Sequence, residues 1–230
     1  MKNHYRQGFT LVELSIVLII IGLLITSVAA GNKLIENARI RSVIADLNEY
    51  YVALSAFELS YDQLPGDFNQ ASSFFASGAN GNNNGLDEGT GDAADEMGNS
   101  WLHLTEAEIV SGSYAAGEFP TGKILGSQYS IDNRSLSGRT DNAIILESII
   151  ATDATPDYNG VVLPQIAFQI DNKLDDGDPG TGLIYAGNQI SGGSLATASS
   201  STCVDDNDDP SLNLTQTSST ANCRIIYWYD

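Results

Sequence analysis

Positive charge is scarce in this chain. Ten lysines and arginines stand against 29 aspartates and glutamates, for a formal net charge of −19. Such a surface repels phosphate backbones, so direct nucleic-acid binding is not expected. It suits a salty or cation-rich exterior, where divalent ions screen or bridge carboxylates. Histidine is scarcer still: His4 and His103 are the only two, too few for a histidine-rich metal centre. His103, beside Trp101, reads as a helix-face residue. No P-loop, no G-x-G-x-x-G after a strand and no nucleophile constellation is present, so enzymatic activity is not expected. Proline is missing from the first 64 positions, up to Pro65, so nothing there forces a helix to break.

What is present is unevenly distributed. Hydrophobic residues make up 42% of the sequence, an ordinary share, but residues 9–30 form one almost purely apolar block. Residues 1–8, MKNHYRQG, are short, polar and cationic. The apolar block is long enough to cross a bilayer core of about 30 Å as a helix. A secretory signal peptide has a similar profile and would be cut after the apolar run, near Val28-Ala29-Ala30-Gly31. Two features weigh against that reading. Glu13 lies inside the apolar run, where a carboxylate costs on the order of 3 kcal/mol at mid-bilayer. The helical pattern also continues past Ala30, with Leu47, Tyr50, Tyr51, Leu54, Phe57 and Tyr61 spaced by threes and fours as one helix face. Packing explains that aromatic spacing better than a charge-transport path does.

Lys2 and Arg6, followed by Gly8, Phe9, Thr10, Leu11, Val12, Glu13 and Leu14, closely resemble the class III signal of type IV prepilins and type II secretion pseudopilins. The resemblance implies that prepilin peptidase cuts between Gly8 and Phe9 and that the new Phe9 amine is methylated. It also implies that the apolar helix is kept. The expected organisation is a leader at 1–8, a transmembrane and filament-core helix at 9–30, its amphipathic continuation at 31–61, and an acidic globular domain at 62–230. Glu13, an unpaired charge in the monomer on this reading, would meet the Phe9 amine of a neighbouring subunit and set the register of assembly. Gly22 matches a glycine common in the family's membrane segment, whereas the proline often found eight residues later is replaced by Ala30. The implied partners are the membrane, prepilin peptidase, further copies in a filament, and a pilus or type II secretion assembly platform. The implied location is the bacterial inner membrane for a single-pass precursor, then a cell-surface or periplasmic filament. The main alternatives are a membrane-anchored minor pilin or adhesin, or a secretion pseudopilin.

The expected fold class is α+β: a long N-terminal helix on a small antiparallel sheet with large loops. A short helix is expected after Pro65-Gly66, with Asp67 as N-cap and Phe68, Ala71, Phe74 and Phe75 on its apolar side. Trp101, Leu102, Leu104 and Ile109 suggest another helix, ending near Ser111-Gly112. Strands are expected over 126–131, 143–150 and 224–229, and Pro164 can start a helix carrying Ile166, Ile170 and Leu174.

Beyond a membrane anchor, Cys203 and Cys223 would close a disulfide loop; in a cytosolic protein they would be two unrelated thiols. No cofactor is expected, with calcium as a candidate ligand. Asn80, Asn82, Asn84 and Asp87 resemble the start of a calcium loop, although asparagines replace the usual aspartates and Gly91 stands at the twelfth position. A solvated, flexible loop is the plainer alternative. Asp171 with Asp175, Asp176 and Asp178 forms a second acidic cluster, readable as a helix end and turn or as a cation site. The run 205–209 is a third, most simply an exposed charged surface.

Overall fold

A computed structural model describes residues 10–89, 94–136, 139–148, 160–178, 181–187, 190–191, 194–195 and 223–229. The chain is α+β, with elements in the order α1 (Leu11–Tyr61), α2 (Ala71–Phe74), α3 (Glu96–Glu106), β1 (Ser127–Leu136), β2 (Arg139–Ser148), α4 (Pro164–Leu174), β3 (Ile184–Gly187), β4 (Ile190–Ser191), β5 (Ser194–Leu195) and β6 (Arg224–Trp228). It divides into two compact units, Met1–Arg39 and Ile40–Asp230, and the boundary falls inside α1.

In the first unit, the apolar part of α1 buries nothing: Leu11, Ile19, Leu23, Ile25 and Val28 are each more than 60% exposed. This helix is long and apolar enough to cross a membrane. In the second unit the same helix becomes one-sided. Ile40, Val43, Leu47, Ala53, Leu54 and Phe57 are buried, at the threes and fours that define one helix face.

That face meets a four-stranded antiparallel sheet of order β1-β2-β6-β3. Side chains alternate across the sheet, so Tyr129, Ile131, Ile144, Leu146, Ile184, Ala186 and Ile225 share the helix core. The opposite face carries Ala143, Ile145, Ile226 and Trp228, also buried, with Tyr185 packed beside them. Burial on both faces accounts for the near-continuous apolar runs Ala143-Ile144-Ile145-Leu146 and Ile225-Ile226-Tyr227-Trp228. The aromatic residues of α1 are spent on packing. Tyr50 meets Trp101 and Tyr129 edge-on at 4.7 and 5.0 Å, and Tyr51 stacks on Tyr227 at 5.4 Å.

Several local expectations need correction. α2 is one turn long, and Asp67 does not cap it. Its carboxylate instead accepts the amides of Asn84 and Gly85 at 3.1 and 2.8 Å. Phe74 is exposed, while Phe68, Ala71 and Phe75 are buried. α3 stops at Glu106, short of Ile109, because Glu108 adopts φ 57°. The Glu108 and Ile109 amides then bond the carbonyls of Thr105 and Leu104, the double closure of a Schellman turn. β1 extends past Ile131 through Asp132 and Asn133 to Leu136, and β2 begins before Ala143 at Arg139. Residues 149 and 150 of the expected second strand lie outside the described residues.

Candidate functional site

Four regions held the candidate residues. At the N-terminus, Gly8 and Phe9 lie outside the described residues, but Thr10 and Glu13 do not. Glu13 Oε2 accepts the Thr10 backbone N–H at 2.9 Å and the Thr10 hydroxyl at 2.8 Å. In return Thr10 Oγ1 accepts the Glu13 N–H at 3.2 Å. This reciprocal pair is a capping box, which satisfies helix-end donors that otherwise have no partner. Glu13 is therefore not an unpaired charge in the monomer. Its carboxylate is held at the start of α1 by its own helix end. Thr10 was missed as its partner, although the T-x-x-E spacing is a recognised signal.

The asparagine-rich loop commits several of its polar groups to hydrogen bonds within the chain. The Asn80 side-chain carbonyl accepts the Ser72 amide at 2.8 Å, and that of Asn84 accepts the Leu86 amide at 2.8 Å. The Asn82 and Glu88 amides donate to Glu96 at 2.9 and 3.2 Å. Asp87 points inward, fully buried, against the Ser100 hydroxyl. The Ser100 hydroxyl, which donates to Asp87 Oδ2, also lies 2.8 Å from the Glu96 carbonyl. Burial, followed by the charges of Asp132, Glu96 and Asp95, raises the Asp87 pKa well above the usual carboxylate range, against the pull of Ser100. The described part of this loop is thus tied to the chain by hydrogen bonds, while Asn80, Asn82, Asn83, Asn84 and Gly85 stay exposed.

His103 staples the same region. It is fully buried, accepting the Gly66 N–H on Nδ1 at 2.8 Å and placing Nε2 3.0 Å from the Ala79 carbonyl. That pairing fits the neutral Nε2–H tautomer. Burial lowers its pKa to about 4, against the Ala79 carbonyl and the Glu106 charge. It is an interior residue, not merely one face of a helix.

The third region lies at the end of α4. Asp171, Asp175 and Asp176 each present a carboxylate oxygen, and these lie within 4.8 Å of one another. Asp178 is not in the group. Asp175 takes the C-cap position of α4 and accepts the Leu183 amide and, at 3.0 Å, the Ile184 amide. Asp176 accepts the Asp178 amide at 2.8 Å and the Thr181 hydroxyl at 2.7 Å. Asp171 is fully buried. Burial and then the Asp176 charge push its carboxyl up to about 7, against a backbone pull from Gly177.

Cys223 is buried and is not a free thiol. Its backbone exchanges 2.9 Å hydrogen bonds with Val162. Cys203 and the acidic run at 205–209 lie outside the described residues.

No match was found among curated proteins or solved structures. Residues 3–29 match the family model described as the prokaryotic N-terminal methylation motif, spanning Gly8, Phe9, Thr10 and Glu13. The chain carries at its N-terminus the class III prepilin signal of type IV pilins and pseudopilins.

Proposed function

We propose that this protein is a structural subunit of a type IV pilus-like filament, cut between Gly8 and Phe9, methylated on Phe9 and assembled through the apolar part of α1. The observation that carries the reading is the methylation motif at residues 3–29 leading directly into a helix whose apolar surface the chain leaves uncovered. Exposed apolar area of this extent calls for lipid or neighbouring subunits. In lipid it holds the precursor; in a filament, repeated copies replace the lipid through a contact that does not close on itself. Glu13 then exchanges its local cap for the Phe9 amine of the next copy, a trade that favours one register over the others. The Cys203–Cys223 disulfide belongs to the same proposal, since an exported domain would form in an oxidising compartment. The loop-rich domain leads us to favour a pilus subunit over a secretion pseudopilin.

Mass spectrometry of the mature N-terminus tests the processing step. Methyl-Phe9 is expected, and a start near Gly31 would overturn the proposal. Glu13→Ala should insert in the membrane at normal levels yet give strongly reduced sheared filament. Undiminished filament yield would refute the register role. Abundance in the filament fraction separates a bulk subunit from a scarce tip or cell-body adhesin.

A further inference from the structure

We propose that the end of α4 is a divalent-cation site, formed by Asp171, Asp175 and Asp176 and suited to calcium. The inference is independent of the filament reading.

Three carboxylates converge where a helix ends. The C-terminus of a helix carries partial negative charge from its unsatisfied carbonyls, so it is an unfavourable place to collect anions. No cationic side chain among the described residues is ion-paired with any of the three. Lys173, in the last turn of the same helix, is exposed and makes no such bridge. The arrangement costs stability unless something positive completes it.

Asp171 makes the case specific. It is 0% exposed, and neither carboxylate oxygen accepts a hydrogen bond of good geometry. Buried polar groups are almost always satisfied, and an isolated one costs about 1–3 kcal/mol. One of these oxygens lies within 4.8 Å of oxygens from both Asp175 and Asp176. That is no wider than the span of two oxygens on opposite sides of an ion at about 2.4 Å, the calcium–oxygen distance, so one ion can reach all three. Asp175 and Asp176 are meanwhile braced by the Ile184 amide, the Thr181 hydroxyl and the Asp178 amide. These bonds hold the two carboxylates in place, as outer partners of metal ligands commonly do. An all-oxygen set favours a hard cation, and an irregular set on a turn suits calcium better than magnesium, which demands near-octahedral geometry.

The test uses the full chain, purified in detergent and stripped with EDTA. Calcium chloride or magnesium chloride is titrated in by calorimetry, and thermal unfolding is followed alongside. Wild type should bind calcium saturably and unfold at a higher temperature in its presence, with a smaller shift from magnesium. Asp171→Asn should remain folded without metal, because the amide removes a buried charge while keeping the shape, and should lose the calcium shift. Asp176→Asn, at an exposed position, should weaken calcium binding by tenfold or more. The proposal is overturned by the absence of a saturable calcium response in wild type. An equal shift with magnesium, or a full calcium shift in Asp171→Asn, overturns it too, since either would mean counter-ion screening of an acidic surface.

Discussion

A single imidazole joins the loop at Gly66, the loop at Ala79 and helix α3. His103 does so only while neutral, because Nδ1 must accept from the Gly66 amide. Its folded pKa is about 4 against an ordinary 6.5, so between those values the unfolded chain binds more protons than the folded one. The His103 contribution is complete above pH 6.5 and is lost as pH falls towards 4, amounting to roughly 3 kcal/mol in all. Denaturant unfolding of wild type and His103→Ala should show a large stability gap at pH 7 that narrows sharply near pH 4. A gap that stays constant with pH would assign His103 to packing alone. Gly66 shows the same crowding: it sits at φ 90°, and an added Cβ would fall 2.5 Å from the Ser100 hydroxyl and 2.6 Å from the Glu96 carbonyl. Such roles are poorly legible in sequence. Asp67, Asp87 and His103 act on partners distant along the chain, whereas Thr10 and Glu13, three residues apart, could have been paired from spacing alone.

At the scale of elements, α1 offers a comparison within one helix. Leu47 is fully buried against the sheet, while Val52, five positions on, is 65% exposed. Leu47→Ala should cost about 2–5 kcal/mol through lost burial and the cavity left behind. Val52→Ala should shift stability by no more than about 0.5 kcal/mol. Equal losses in denaturant unfolding would mean that the helix face is wrongly assigned. Elements with strong periodic or terminal signals were legible. α4 begins at Pro164, buries Ala167 and Ile170, and ends at Leu174 before its aspartates. The second half of β1 was not legible, because Asp132 and Asn133 look like turn residues and their strand conformation depends on pairing with β2. β3 is too short to announce itself, with Ile184 and Ala186 buried and a glycine at its end.

For the whole molecule, the methylation motif was legible in sequence because it is linear, while the proposed ion site was visible only as one acidic cluster among three. What singled out Asp171 was its depth, which spacing does not encode. The proposed disulfide also acts at this scale. Cys223 enters β6 beside its bridge to Val162, joining the chain ahead of α4 to the last strand of the sheet. Closing a loop of about twenty residues should contribute roughly 3 kcal/mol. Cys203→Ser and Cys223→Ser should each lower stability by a similar amount and abolish the mobility difference between reduced and non-reduced gels. If wild type itself shows no such difference, the pairing is wrong.

The boundary between the two units falls between Arg39 and Ile40, in the middle of a continuous helix. Within the second unit, a pull along α1 is met by Ile40, Val43, Leu47, Leu54 and Phe57, which the helix buries on one face. Those contacts are loaded together in shear, not peeled one at a time. The force at which the domain yields should therefore be set by the same apolar face that sets its thermal stability.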